Sequence, residues 1–522
     1  MKTKLTESTQ LDEKQVDPMT QETCLTTPTD LEEALRPDSL DSENQESWKP
    51  SQSVAVCLLI YFFCYGIALN MDTGTWDSMI KTTLAFYSIN KAEGGLIGSL
   101  QMTGFLIASL VVGLLSKTKN TFKLIYFSLF FWIAALFMAG VSYNYGMITT
   151  ARIFDGACRA PASILINPMI NIIAPEGLVT RWVAIMLISR VIGAATGSFL
   201  APAIVNSLGS ILWTFRLEVL YVVFLLIPPI FFWKKCVRVG EVSKRVKQEK
   251  ASNQNQAIQN ESDVADPVDS HDIQHQLRLS ERKQIWEDVK KLLSNKIFLC
   301  LSVGGASLNF AFGGVGYWAI QYIEDDYGLS NESAALWTGS LSAILGLTAP
   351  LLGGLFLDSR LKSIPKEDIW QRLRIIFRWL ILLGTLTYVI IIPTIASGKF
   401  GFFLFGLGGS LLMFLAAIPM QMVVIFTFIP KNDQGLAMTV FTTLEFLLGH
   451  LPAPTVVGAI ADASSIRFAF MISFAWCALT TIFWSVAFFY SYSEGGNSLK
   501  QGFRNVFSRR EPLASLEPSL QQ

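Results

Sequence analysis

Three charged side chains stand within one long apolar stretch of the sequence, where a charge has to serve structure or function. Arg152, Asp155 and Arg159 are spaced i, i+3 and i+7, which places them on one face of a predicted helix. An arginine fork donates two parallel hydrogen bonds and stays charged at any physiological pH, so it suits an anionic headgroup but cannot be the group that titrates. Asp155 can neutralise one arginine, which leaves about one positive charge for an acid on another helix or for a substrate.

Acids in the apolar stretches could take up a proton. Asp72 is the first candidate, Asp155 the second and Glu445 the third, because burial and a neighbouring arginine are the two influences that tune a carboxyl group. His450 is the only histidine in a predicted span, and either a pH-sensing role or a structural hydrogen bond is consistent with its position. Two interpretations of the charged cluster remain open: a salt-bridge network that ties helices together, or direct contact with substrate or a coupling proton.

The elements that must position these residues are predicted membrane spans. Of 522 residues, 51% are hydrophobic and only 16% are charged, and the net charge is zero, which excludes a nucleic-acid-binding protein with a basic face. Twelve apolar runs have roughly the 20-residue length that crosses a bilayer, the first of them at Ser53–Asp72 and the fourth at Met147–Ile173. The sequence predicts an all-α membrane protein with twelve transmembrane helices in two six-helix bundles. Arg216 and Glu218 are expected to be exposed at the outer end of the sixth span and are assigned no chemistry.

Charge placement predicts the orientation in the membrane. Lysines and arginines concentrate in the segments assigned to the cytoplasm, whereas the outer loops hold Lys81, Lys91, Lys399 and Arg467, so both termini are predicted to be cytoplasmic. The predicted organisation is a disordered N-terminal tail (1–50), a six-helix bundle (51–233), a cytoplasmic linker (234–296), a second six-helix bundle (297–490) and a cytoplasmic C-terminal tail (491–522).

Motifs for catalysis, nucleotide-driven pumping and metal binding are absent from the sequence. It contains no Walker phosphate loop and no histidine or cysteine cluster at metal-ligand spacing. We therefore expect no enzyme activity, no cofactor and no metal, and the expected partners are the bilayer, a small-molecule solute and protons. Two helix bundles joined by a polar linker are typical of secondary transporters, whose binding site lies between the halves near the membrane midplane.

The segment between the eighth and ninth predicted spans resembles a known family signature. Its sequence at 354–360, Gly-Leu-Phe-Leu-Asp-Ser-Arg, is similar to the loop signature of the major facilitator superfamily. The matching turn of the first half, 113–119, keeps the glycine and the basic residues but lacks the aspartate. The resemblance implies a gating loop that uses Gly354, Asp358 and Arg360.

Three further segments resemble the spinster-like branch of that superfamily, which is associated with lysophospholipid and sphingoid lipid export. They are Asn-Met-Asp at 70–72, Arg152 with Gly156, Ala160 and Ser163, and Gly449–Pro454 followed by Gly458 and Asp462. The resemblance covers about residues 53–490 outside the linker. It implies a lysophospholipid- or sphingolipid-like substrate, and it favours a lysosomal or endosomal membrane, with the plasma membrane as the alternative.

The chain departs from the spinster-like pattern at two charged positions. It has Thr73 where the family has an arginine after the aspartate, and Arg159 where the family has an acid. A positive charge is thus lost from the first span and gained by the fourth. We hypothesise that Asp72 and Arg159 pair across the helix interface.

The sequence as a whole predicts a secondary active transporter that works by alternating access. Its solute is expected to be small and amphipathic or anionic, most specifically a lysophospholipid- or sphingolipid-like molecule, with proton coupling. One alternative is a proton-coupled carrier of a polar solute such as an organic anion or a sugar. The other is a solute-sensing receptor that keeps the fold without transporting anything.

Overall fold

The computed structural model describes residues 50–175, 178–242, 286–365, 367–430 and 434–494. Residues 1–49, 243–285 and 495–522, which make up most of the predicted tails (1–50 and 491–522) and linker (234–296), lie outside these described residues. The described first half contains α1 (Gln52–Tyr87), α2 (Lys91–Thr118), α3 (Thr121–Gly140), α4 (Tyr145–Ile173), α5 (Val179–Leu208) and α6 (Leu212–Phe231). The described second half contains α7 (Lys296–Tyr327), α8 (Asn331–Leu361), α9 (Ile369–Ala396), α10 (Phe400–Phe428), α11 (in segments from Gln434 to Ala463) and α12 (Ile466–Glu494). Short helices at 233–242 and 286–294 flank the linker.

Among the described residues, eleven helices are long and apolar enough to cross a membrane. The remaining long helix is α4, which carries Arg152, Asp155 and Arg159 in its first half. The first helix does not end at Asp72, as the sequence predicted, but continues to Tyr87. The physical reason is that the charge of Asp72 is neutralised inside the bundle, so the chain has no need to leave the apolar environment there.

Asparagine side chains fix the starts of several helices. The Asn90 side chain accepts a hydrogen bond from the Glu93 N–H while the Glu93 side chain returns to the Asn90 N–H, which forms a capping box at α2. Asn120, Asn144 and Asn295 cap α3, α4 and α7 in the same manner with their side-chain oxygens. Each cap satisfies backbone donors that a helix cannot satisfy alone, and it is worth about 0.5–2 kcal/mol.

The eleventh helix is interrupted. A regular segment, Gln434–Glu445, passes into a π-helical turn, Phe446–His450, and a second regular segment follows at Ala453–Ala463. Pro452 directly precedes the second segment and has no N–H to continue the hydrogen bonding of the first. The break at this proline takes the form of a π turn.

The helices pack as two bundles that meet along three helix pairs. Within the first bundle α1 packs on α5, and α4 packs on α2 and α3; within the second α7 and α9 pack on α12, and α10 packs on α8 and α9. Across the interface α2 contacts the second segment of α11, α5 contacts α8, and α1 contacts α7. The interface is therefore formed by α1, α2 and α5 of the first bundle and by α7, α8 and α11 of the second.

Polar contacts between the bundles gather at the predicted outer face. The Asp462 carboxylate accepts hydrogen bonds from the backbone N–H groups of Lys91 and Ala92, at 3.1 Å and 2.8 Å, so it caps the start of α2 from the opposite bundle. Lys81 at the end of α1 forms an ion pair with Asp325 of α7 at 2.7 Å. We call these two contacts the outer latch.

A polar contact between the bundles also lies further from the helix ends. The Ser99 and Thr455 hydroxyls form a hydrogen bond at 2.7 Å, two turns into α2. Below it the rings of Phe105 and Phe446 stack, with centroids 6.3 Å apart. Among the described residues, hydrogen bonds and an ion pair thus hold the bundles together at the predicted outer face.

Candidate functional site

A buried aspartate in the middle of α1 holds two arginines of α4. One carboxyl oxygen of Asp72 accepts from Arg152 Nη1 and the other from Arg159 Nη1, each at 2.7 Å. The i, i+7 spacing of the two arginines places both guanidinium groups on the face of α4 that meets α1. The predicted pairing of Asp72 with Arg159 is present, and Arg152 joins it.

The fourth charge of the cluster, Asp155, lies between the two arginines. Its Oδ2 is 3.6 Å from both Arg152 Nη1 and Arg159 Nη1. Two neutral donors complete its environment: Gln101 Nε2 donates at 2.6 Å and Trp132 Nε1 donates at 2.7 Å. The Asp155 carboxyl is thus fully surrounded by donors in the centre of the helix bundle.

The two arginines differ in exposure, and this difference decides which can meet a solute. The Arg152 side chain is 1% exposed, its Nη2 donates to Gln101 at 3.0 Å, and its guanidinium lies 4.5 Å from the centre of the Trp76 ring. The Arg159 side chain is 12% exposed, and its Nη2 donates to the Thr73 hydroxyl at 2.8 Å and to the Leu69 carbonyl. Arg152 is a structural anchor of the cluster, whereas Arg159 stands at its accessible edge.

The cluster of Asp72, Arg152, Asp155 and Arg159 carries two positive and two negative charges and is neutral as a whole. Burying charges is tolerated only where they are paired and hydrogen-bonded, and this cluster meets that condition. An anion that binds an arginine here competes with the carboxylates. A proton that binds a carboxylate weakens the ion pair of that carboxylate with its arginine.

A short hydrogen-bond chain links the charged cluster to the second bundle. Trp76, whose ring lies under Arg152, donates from Nε1 to the Tyr317 hydroxyl of α7 at 2.8 Å. Tyr317 in turn donates to the Gly94 carbonyl of α2 at 2.6 Å. Movement of Arg152 would therefore change a contact at the interface between the bundles.

The other predicted solute-binding residues, Glu445 and His450, lie in the second bundle. Glu445 Oε1 and Gln421 Oε1 both approach Gly305 of α7, where the missing side chain leaves room for them. The His450 ring lies 5.0 Å from Phe446, and its Nδ1 has no hydrogen-bond partner in the described chain. Within that chain no hydrogen bond or ion pair joins Glu445 or His450 to the charged cluster, so the structure places the predicted residues in two groups.

The predicted gating loop is helical. Gly354, Asp358 and Arg360 all belong to the last turns of α8, which runs to Leu361. The prediction of a loop was wrong because the backbone hydrogen bonds continue through the segment, as in the Lys362 N–H that donates to the Asp358 carbonyl. The Arg360 guanidinium lies over the Phe356 ring at 5.2 Å, and the side chains of Asp358 and Arg360 are exposed.

Sequence reasoning missed the neutral partners of the cluster and misplaced one acid. Gln101, Trp132 and Trp76 carry no charge, and a polar residue within an apolar run was the signal that could have drawn attention to Gln101. The expectation that Glu218 is exposed was wrong: Glu218 is 4% exposed, because it faces α1 rather than water or lipid. Among the described residues no three His, Cys, Asp or Glu side chains come together as a metal site.

Comparison with known proteins agrees with this architecture. The family model of the Major Facilitator Superfamily matches residues 55–451. A probable sphingolipid transporter, spinster homolog 1 of Arabidopsis thaliana, is 26% identical over 420 residues, which cover 80% of this chain and 81% of the relative. A bacterial homolog of the human lysosomal transporter Spinster, in an inward-facing and unoccupied conformation, has a TM-score of 0.62 at 13% identity and covers 86% of this chain and 100% of its own. The nucleoside transporter NupG has a TM-score of 0.57 at 12% identity, covering 83% of this chain and 98% of its own.

The fold and the extent of the family match show that the chain belongs to the major facilitator superfamily of multi-pass membrane transporters. Within that superfamily its sequence is similar to spinster homologs, and a bacterial spinster homolog has a similar fold.

Proposed function

We propose that this transporter moves a lysophospholipid- or sphingolipid-like solute by alternating access, coupled to protons and without any chemical conversion of the solute. The observation that carries the proposal is the neutral, buried cluster of two arginines and two aspartates with Arg159 at its accessible edge. An anionic headgroup is the ligand that such an arginine recognises, through paired hydrogen bonds.

Arg159 is proposed to receive the headgroup. Its Nη1 donates to Asp72, and its Nη2 donates to the Thr73 hydroxyl and to the Leu69 carbonyl. Phosphate oxygens accept hydrogen bonds from the same fork of donors. A phosphate could therefore take the place of these partners if the guanidinium rotates. The Arg152 side chain lies behind it, where it binds the other carboxyl oxygen of Asp72.

Asp72 is proposed to couple the solute to a proton. Each of its oxygens holds one arginine, so a proton on Asp72 loosens both ion pairs at once. Arg159 would then be free to bind an anion, and loss of the proton would restore the carboxylate and expel the anion. Asp155 keeps one negative charge in the cluster throughout this exchange.

Names of relatives support the choice of solute and compartment. The Arabidopsis relative is described as a probable sphingolipid transporter, and the bacterial structure as a homolog of a lysosomal transporter. We propose a lysosomal or endosomal membrane for this protein, with both termini in the cytoplasm. The bundles at 51–233 and 297–490 are proposed to rock against each other around the charged cluster.

The test is transport by the purified full chain in liposomes. Labelled lysophospholipid and labelled sugar are compared, with and without a pH gradient across the liposome membrane. We expect lipid movement that rises with the gradient, no sugar movement, and a fall of about tenfold or more in lipid movement for Asp72→Asn. Asp368→Asn is the matched control, because Asp368 caps α9 at the surface and asparagine caps equally well.

Each outcome decides the proposal. Sugar movement without lipid movement would identify a polar-solute carrier instead. Lipid binding without movement would identify a receptor. Lipid movement that Asp72→Asn leaves intact would remove Asp72 from the coupling mechanism.

A further inference from the structure

Glu218 lies on the face of α6 that packs against α1. Phe215, Glu218 and Val222 share that face at i, i+3 and i+7, and all three are buried. The Phe215 ring lies 6.3 Å from the Trp76 ring, which fixes the register of α6 on α1 next to the charged cluster. Glu218 is therefore directed toward the interior of the first bundle at the level of Asp72.

Neither carboxyl oxygen of Glu218 meets a donor in good hydrogen-bond geometry in the part of the chain that the structure describes, although Asp72 and Thr75 are its polar neighbours. A buried acceptor without a donor is rare in folded proteins and calls for an explanation. Arg152 Nε, also buried, has no partner either among the described residues. An unpartnered acid and an unpartnered arginine N–H thus occur within one cluster, and Glu218 interacts electrostatically with that same arginine.

The groups that face Glu218 come from the helices packed around α6. From α1 they are Asp72 and Thr75, and from the charged face of α4 they are Arg152 and Asp155. On α3 the titratable residue is Tyr126, whose hydroxyl donates to the Leu226 carbonyl, more than two helical turns along α6 from Glu218. The nearest charged residue on α5, Arg190, is exposed.

Charge counting shows which form of Glu218 the cluster can accept. With Asp72 and Asp155 both ionised, the charges of Arg152 and Arg159 are balanced, so an ionised Glu218 or Asp77 would add an uncompensated negative charge to the bundle. An uncompensated buried charge is among the most unfavourable arrangements in a protein, and more so within a membrane. A neutral carboxyl at Glu218 avoids it.

We propose that Glu218 is a proton-carrying site that shares one proton with Asp72. In the conformation described here Glu218 holds the proton and Asp72 holds Arg152. When the proton leaves a Glu218 oxygen and binds an Asp72 oxygen, Glu218 becomes the carboxylate and Arg152 moves from α1 to α6 as its ion-pair partner. One proton is transferred, no charge is created, and the cluster stays neutral in both arrangements.

This inference rests on the proposed function, because it gives the proton a second station within the same site. The pairing of Asp72 with Arg159 does not explain how Asp72 can separate from Arg152. A proton transfer from Glu218 to Asp72 allows this separation without leaving an unpaired charge in the bundle. It also assigns a role to an acid that the sequence left unexplained.

Infrared difference spectroscopy of the purified full chain tests the proton directly and needs no solute. At neutral pH we expect a protonated-carboxyl band that is lost in Glu218→Gln. The band should also be lost in Asp72→Asn, although Glu218 is still present there, because the cluster then carries a surplus positive charge that takes Glu218 as its carboxylate. Glu287→Gln and Asp368→Asn, the same changes at exposed positions, should leave the band in place.

Other acids within the helices could contribute carboxyl bands of their own, and Asp77 and Glu445 are two of them. Asp77 lies in α1 and Glu445 in α11. Neither takes part in the ion pairs described above. The variants Asp77→Asn and Glu445→Gln therefore assign their bands, so that the band of Glu218 is identified by difference from three separate spectra.

A spectrum that Glu218→Gln leaves unchanged would show that Glu218 is ionised, and a Glu218 band that survives Asp72→Asn would show that the two acids share no proton; either result overturns the proposal. In liposomes Glu218→Gln is expected to lower gradient-driven lipid accumulation about tenfold or more. If the wild-type protein moves no lipid under a gradient, the proposed function fails, while the infrared result still decides the state of Glu218. Elution and thermal melting in detergent, compared with those of the wild type, show whether each variant has folded.

Discussion

The ion pairs of Asp72 predict a strong, non-additive response to mutation. We consider Asp72→Asn and Arg159→Gln, singly and combined. The first leaves the cluster with one surplus positive charge and takes the 2.7 Å carboxylate partner from Arg152, which is 1% exposed. The second leaves one surplus negative charge, but Asp72 keeps Arg152. The combination restores neutrality, with Arg152 balanced by Asp155 at 3.6 Å.

Magnitudes follow from burial. Breaking a fully buried ion pair by removal of one partner costs about 3–5 kcal/mol, which we expect for Asp72→Asn. Loss of a charged hydrogen bond costs about 1–3 kcal/mol, which we expect for Arg159→Gln because water reaches its 12% exposed side chain. If the charges act as one cluster, the double variant should cost about 2–3 kcal/mol less than the sum of the single variants.

The measurement is reversible unfolding in mixed micelles, with SDS as the denaturant and Asp368→Asn as the surface control. The free energies of unfolding of the wild type and the three variants complete a double-mutant cycle. Additivity within about 0.5 kcal/mol would refute the reasoning, because it would mean that Asp72 and Arg159 contribute independently. A large coupling with intact folding would also show that the two side chains meet in solution as they do in the structure.

Three further predictions concern the same site and the outer latch. Gly458→Ala places a methyl group against the Lys91 carbonyl, so it should cost about 1–3 kcal/mol in closure of the outer face and lengthen spin-label distances across it. Asp462→Asn weakens the cap at the start of α2 and should lengthen the same spin-label distances to a smaller degree. Unchanged distances would show that the outer latch does not keep the bundles together at the outer face. Trp132→Phe removes the 2.7 Å donor of Asp155 and should destabilise the protein by about 1.5–3 kcal/mol in the SDS titration, whereas an unaffected midpoint would show that Asp155 does not need this donor.

The sequence predicts the helices and the charged face of α4 well, for a simple physical reason. A span is recognised by its length and apolar composition, and three charges at i, i+3 and i+7 share a face in any α-helix. The partner of Arg159 was also accessible, because a charge missing from one helix and gained on another suggests a pair. The spans and the shared face depend on local rules that tertiary structure does not override, whereas the pair was suggested by departures from the spinster-like pattern.

Features that depend on packing could not be predicted in the same way. The burial of Glu218 depends on the rotation of α6 about its axis, which a uniformly apolar helix does not reveal in its sequence. The continuation of α1 beyond Asp72 depends on arginines from another helix. The roles of Gln101 and Trp132 depend on where their side chains meet Asp155, and no spacing rule connects residues on three separate helices.

The hydrogen bond between Trp76 and Tyr317 makes the indole a natural spectroscopic reporter. Its N–H is bound to a residue of the opposite bundle, and its ring lies against Arg152, so its magnetic environment depends on both. Biosynthetic incorporation of fluorotryptophan would give this side chain its own fluorine resonance, which Trp76→Phe would assign. Two resonances in slow exchange would then measure, in a single spectrum, the populations of the open and closed carrier.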